Sequence, residues 1–157
     1  SSNTGIYGPV FEHMISDALP EKEEYLNSEK FQICDYDWTK ENKLIHIITS
    51  VNKIRQENEA LQQTNNIQFC TVENENLIAF YKWNDARTNE LLIVVNLDHY
   101  NTQQANVQLP LHDLGIQEGH QVNVKDLITE NVYIWDKEWN FVELNPKLPF
   151  HIFKITK

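Results

Sequence analysis

The sequence predicts a mainly β protein: an antiparallel two-sheet β-sandwich, preceded by an irregular segment and a single α-helix. Three observations carry that prediction. From residue 67 onward, short runs rich in Val, Ile, Phe, Tyr and Trp are separated by Asn, Asp, Gly and Pro clusters. Their spacing of about 8–12 residues is the rhythm of a sandwich or barrel. Residues 40–62 carry one apolar stripe at helical spacing, and residues 1–38 follow neither a helical nor a strand period.

The first segment, 1–38, is punctuated by Gly5, Gly8, Pro9 and Pro20 and interrupted by the acidic run 21–24. Its aromatic residues, Tyr7, Phe11, Tyr25, Phe31, Tyr36 and Trp38, have no regular spacing. A structureless stretch of this length argues against a complete compact domain, and an aromatic-rich one lies most naturally across a neighbouring scaffold. The chain is therefore expected to be a fragment. In 40–62, Leu44, Ile47, Ile48, Val51, Ile54 and Leu61 fall on one helix face. Thr39 is the expected N-cap, with Glu41 in the first turn where the helix dipole favours negative charge. Asn65-Asn66 is expected to end the helix in a turn. Such a stripe must be buried, and covering one face or edge of the sandwich is the expected use. Strands are expected at 67–72, 77–83, 91–97, 105–109, 121–126, 132–135, 141–144 and 150–155. The run 91–97 is almost continuously apolar and is placed centrally. Runs 121–126 and 150–155 alternate and are expected to keep one wet face each.

Composition narrows the function classes. At 157 residues, with 41% hydrophobic and 23% charged residues, the chain has globular composition and room for about one domain. No apolar run approaches the roughly 20 residues that span a bilayer, so no membrane partner is expected. The N-terminus lacks the basic-then-apolar pattern of a signal peptide. Net charge is −10, evenly spread: six Lys/Arg against 11 Asp/Glu in 1–65, and seven against 12 in the rest. With no basic face, a nucleic-acid partner is not expected; a phosphorylated small molecule remains open, since one lysine suffices for it. Cys34 and Cys70 sit in unlike contexts and form neither a metal pair nor a disulfide framework, which points to a reducing compartment, the cytoplasm. The six histidines include no pair at i, i+4 and no Cys/His cluster. With four glycines there is no phosphate-cradling loop. Neither a metal nor a cofactor is expected.

Several blocks of text carry a resemblance. Residues 126–155 read DLITENVYIWDKEWNFVELNPKLPFHIFKI. The closing domain of the alpha-amylase superfamily (glycoside hydrolase family 13) runs similarly: D-L-[LI]-T, an aromatic-Trp strand, an N-[YF]-[VI] strand, and a last strand opening with Pro and carrying H-[IV]-F. The matching pieces are Asp126-Leu127-Ile128-Thr129, Tyr133-Ile134-Trp135, Asn140-Phe141-Val142, and Pro149 followed by His151-Ile152-Phe153. Upstream, GIYGPVFE (5–12), KEEYLNSEKFQI (22–33) and NKIRQENEAL (52–61) resemble bacterial alpha-1,4-glucan:maltose-1-phosphate maltosyltransferases, and the EEYL-x-SEK block favours that subfamily.

The resemblance implies that residues 1–65 are the end of a catalytic (β/α)8 barrel, its last loop and last helix, and that 66–157 are the C-terminal β-sandwich domain. It implies a parent enzyme that transfers maltosyl units from α-maltose 1-phosphate to the non-reducing end of a glycogen-like α-1,4-glucan, and it leaves room for a homodimeric parent. The reaction resembles retaining glycoside chemistry, with a carboxylate nucleophile and a carboxylic acid. In the family those groups come from barrel strands that would precede Ser1, so no catalytic residue is assigned and the chain alone is expected to be inactive. Lys30 and Phe31 are implied to be substrate-binding, in the loop that reaches the donor sugar. Phe31 stands where the family usually has tyrosine, which removes one hydroxyl.

Two other readings stay open. A freestanding carbohydrate-binding β-sandwich is one, with Trp83, Tyr133, Trp135 and Trp139 as a sugar-stacking platform, although aromatics at strand positions are more often packing. An all-β interaction domain is the other. His151 reads as a hydrogen-bonded inter-sheet residue.

Overall fold

The structure, a computed structural model, describes residues 12–22, 24, 33 and 35–157. The chain divides at Lys53/Ile54 into two compact units.

In the first unit, helix α1 (Lys43–Glu57) begins, its last turn belonging to the second unit. Its cap is not Thr39. Asn42 Oδ1 accepts the backbone N–H groups of Leu44 and Ile45 at 3.0 and 3.1 Å, the two orphan donors that an N-cap satisfies. Thr39 is already held by Asp37, whose Oδ1 accepts its N–H at 3.0 Å and its hydroxyl at 2.6 Å. That local turn competes for the capping side chain and moves the helix start toward Asn42. Asn42 Nδ2 also donates to the Glu12 carbonyl. Along α1, Leu44, Ile47, Ile48 and Val51 are half-buried, while Lys43, His46, Thr49 and Asn52 are exposed.

The second unit starts with the end of that helix. The α-helix stops at Glu57 rather than running to residue 62. Asn58 donates its side-chain amide to the Ile54 carbonyl at 2.8 Å, taking the place of a continuing backbone N–H. The chain then tightens into a 3-10 turn, Glu59–Leu61.

Eight strands follow: β1 (Ile67–Cys70), β2 (Leu77–Trp83), β3 (Glu90–Asn96), β4 (Gln103–Gln108), β5 (Val122–Asp126), β6 (Val132–Trp135), β7 (Trp139–Leu144) and β8 (Phe150–Thr156). Six form one sheet in the order β1-β2-β3-β8-β5-β6, and β4-β7 form the other. Every pairing is antiparallel, as the turn spacing predicts. β3 is interior, between β2 and β8. A one-turn helix, α2 (Leu111–Leu114), was not expected; Gly115 ends it at φ 67°, a left-handed conformation that glycine adopts without a Cβ penalty.

Two apolar clusters hold this unit. Between the sheets lie Tyr81, Leu92, Val94, Val107, Val124 and Leu144. A second cluster joins Ile54, Ala60, Leu91, Ile93 and Ile152. The expectation of one wet face holds for β5, where Val122, Val124 and Asp126 are buried around less buried Asn123 and Lys125. It fails for β8, where Ile152 and Phe153 are buried in succession. Phe153 enters the inter-sheet core and Ile152 the second cluster. The end of α1 and the 3-10 turn supply Ile54 and Ala60 to that cluster, so an interior strand that reads as half-wet is covered on both sides.

Candidate functional site

Lys30 and Phe31 lie outside the described residues. Within the sandwich unit, chemistry gathers at the motifs near its end. Asp126, at the end of β5, is fully buried. Its Oδ2 faces His151 Nδ1 at 2.9 Å and accepts the Thr129 hydroxyl at 2.6 Å. Its Oδ1 accepts the Ile128 N–H at 3.1 Å. The Asp-Leu-Ile-Thr block is thus a turn folded back on its own aspartate, and the ring of His151 locks it to β8. His151 Nε2 lies 3.3 Å from the Glu143 carbonyl on β7. Both ring nitrogens therefore face acceptors, an arrangement that suits the doubly protonated imidazolium. Burial alone favours the neutral ring, but the hydrogen bond and charge of Asp126, with the Glu143 carbonyl, outweigh it and raise the His151 pKa. Burial likewise favours protonated Asp126, yet the bonds from His151, Thr129 and the Ile128 N–H prevail and lower its pKa. The pair ties the larger sheet to the smaller one, as the sequence suggests for His151.

The same histidine borders a cleft of about 220 Å³ where β6, an edge of the larger sheet, passes β7. Tyr133 and Trp135 line it from β6, Phe141 and Glu143 from β7, and His151 and Phe153 from β8. Phe153 meets Tyr133 and Trp135 edge-on at 6.2 and 5.3 Å between ring centroids and stacks on His151 at 5.2 Å. Tyr133 is 40% exposed and Phe141 61%.

The four aromatic residues singled out as a stacking platform do not come together. Tyr133 and Trp135 share the cleft; Trp139, which opens β7, does not line it. Trp83 is occupied elsewhere: Tyr81 stacks on it at 5.0 Å and the Arg87 guanidinium lies 4.4 Å from its ring centroid. Arg87 also donates to the buried Tyr81 hydroxyl at 3.0 Å, and that hydroxyl donates to Glu90 at 2.6 Å. Phe141, Glu143 and His151 were not foreseen as neighbours, because their meeting depends on two strands that are not hydrogen-bonded to one another.

A second cleft, about 280 Å³, includes Gln68, Phe69, Gln108, His112, Asp113 and Glu138 in its lining. Four of its polar side chains are paired: Gln68 donates to Asp113 at 2.9 Å and Gln108 to Glu138 at 2.6 Å. Cys70 borders it, its thiol pKa pushed up to about 11 by burial, which leaves it unreactive at neutral pH. Among the described residues no group of three or more His, Cys, Asp or Glu side chains could hold a metal ion.

Sequence reasoning also missed an amide network in the second unit, just past the end of α1. Asn89 donates to Asn58 Oδ1 at 2.9 Å and accepts the Ala60 N–H at 3.0 Å. Asn84 donates to Glu59 at 2.8 Å, and Asn66 donates to the Ala60 carbonyl at 2.8 Å. The available signal was the density of asparagine around 58–89.

With this fold and these motifs placed, comparison with known proteins is direct. The sandwich is the kind found in alpha-amylases: the crystal structure of an alpha-amylase from Geobacillus thermoleovorans, complexed with acarbose, superposes with a TM-score of 0.57 at 13% identity. That match covers 78% of this chain and 25% of the amylase. Residues 69–155 match the family described as GLGE, C-terminal, and the chain belongs to that family. Over 99% of its length it is 40% identical to an alpha-1,4-glucan:maltose-1-phosphate maltosyltransferase of Chlorobaculum tepidum. It is 37% identical over the same share to one of Salinibacter ruber. The chain spans 24% and 23% of those two relatives, about a quarter of their length.

Proposed function

We propose that this chain is the C-terminal part of a maltosyltransferase whose full-length form moves maltosyl units from α-maltose 1-phosphate to the non-reducing end of an α-1,4-glucan. The observation that carries this reading is similarity along 99% of the chain to maltosyltransferases of which it spans about a quarter. In this reading residues 1–65 complete the catalytic barrel and residues 66–157 form the sandwich that braces it. A barrel carboxylate attacks the anomeric carbon, phosphate departs with help from a carboxylic acid, and the acceptor 4-OH then displaces the carboxylate. A cytoplasmic, homodimeric parent fits the same reading.

The test is phosphate release by the full-length parent given maltose 1-phosphate and glycogen; no release would sink the reading. The 157-residue chain alone should show no turnover, and turnover surviving rigorous purification would overturn its supporting role. In the parent, Lys30→Ala should lose a charge-assisted hydrogen bond to the donor of about 1.5–3 kcal/mol, roughly a ten- to hundredfold drop in kcat/KM. Phe31→Tyr should be tolerated or improve donor binding. Unchanged efficiency in the alanine variant would remove Lys30 from the site.

A further inference from the structure

The cleft between β6 and β7 differs from the other cleft in what its groups are doing. Gln68, Asp113, Gln108 and Glu138 are already paired. In the β6/β7 cleft the Glu143 carboxylate and the Tyr133 hydroxyl have no side-chain partner among the described residues, and Tyr133 and Phe141 present exposed rings from opposite strands. Below them, buried Phe153 and half-buried His151, held by Asp126, fix the floor. Exposed aromatic faces beside an unpaired carboxylate suit a ligand with apolar ring faces and hydroxyl rims. No lysine or arginine lines the cleft, and His151 is already paired with Asp126, so an anionic ligand would face the unpaired charge of Glu143. The volume is below the roughly 300–1,000 Å³ of drug-sized pockets and suits a short stretch of an open chain.

We propose that this cleft binds a neutral α-1,4-glucan chain, with Tyr133 and Phe141 packing on sugar faces and Glu143 accepting hydrogen bonds from sugar hydroxyls. The neutral-sugar chemistry comes from the lining; the choice of an α-1,4-glucan rests on the proposed reaction of the parent. The site would hold polymeric acceptor near the enzyme without taking part in bond making.

The experiment is calorimetric titration of the 157-residue chain with maltoheptaose, with cellohexaose as the control sugar. Maltoheptaose should bind, and Tyr133→Ala and Phe141→Ala should each weaken binding by about tenfold. Both side chains are exposed, so thermal melting should remain near wild type; Glu143→Gln provides a third, isosteric variant that should also bind more weakly. Phe69→Ala, an exposed aromatic of the other cleft, should bind as wild type does. Absence of binding, binding unchanged in all three cleft variants, or loss confined to Phe69→Ala would overturn the site. Equal binding of cellohexaose would overturn the α-1,4-glucan assignment. Phosphate release by the parent is read separately: an active parent whose C-terminal chain binds no glucan sinks only the cleft, and a binding chain from an inactive parent sinks only the transferase reading.

Discussion

Where α1 ends, buried hydrogen bonding is carried by neutral amides: Asn58, Asn66, Asn84 and Asn89 bond to each other and to backbone. Elsewhere in the same sheet, Asp126 and His151 do the corresponding work as a charge pair. Both clusters solve one problem, which is to stop the chain turning away from a sheet without orphaning polar groups. The amides can be lost one bond at a time. Asp126 cannot lose its charged partner cheaply, because what remains is a buried charge. Neutral networks are graded and charged ones are brittle.

The sharpest test is removal of each hub. Asp126→Ala strips the acceptor from His151, Thr129 and the Ile128 N–H together, and should cost about 3–5 kcal/mol, the usual penalty for breaking a buried pair. Asn58→Ala should cost about 1–3 kcal/mol, since two buried neutral bonds go, one to the Ile54 carbonyl and one from Asn89. Urea denaturation of the two variants measures both, and equal losses would erase the distinction.

Dependence on pH separates the clusters next. Asp126 is held below its ordinary value of 3.8, so its contribution is present above that value and lost as pH falls through the lower folded one. His151 is held above its ordinary 6.5, so its contribution is complete below that value and lost as pH rises through the higher folded one. The pair is therefore at full strength between about pH 4 and 6.5. Melting temperature followed upward from pH 6 should fall, and His151→Gln should flatten that limb. Asn58→Ala should lower the whole curve and leave its slope intact.

The smallest effect is expected at Thr129, an exposed residue whose hydroxyl bonds Asp126. Thr129→Val should cost about 0.5–1.5 kcal/mol, since water can reach the vacated position. A larger loss in thermal melting would mean that the turn itself, and not only the carboxylate, is the brittle element.

How much of this was legible follows from the range of each interaction. The strands were readable because alternation and turn residues are local; even the central place of β3 shows in its unbroken apolar run. The helix cap was misplaced because Thr39 and Asn42 are both good capping residues, and only the capture of Thr39 by Asp37 decides between them. The helix end was misread because Asn58 is held by Asn89, 31 residues away. Tyr133 and Trp135 were named from the sequence, whereas Phe141 and Glu143 became their neighbours through the passage of β7 beside β6.

The sequence by itself determined the β class, the long helix that precedes the strands, the acidic character and the family blocks, since each depends on residue type and short spacing. Tertiary structure decided which faces are dry, which asparagines form a network, and which aromatic residues share a cleft. Those depend on strand order, β1-β2-β3-β8-β5-β6 against β4-β7. Strand order brings residues far apart in the chain within hydrogen-bond reach, and no periodicity in the chain encodes that distance.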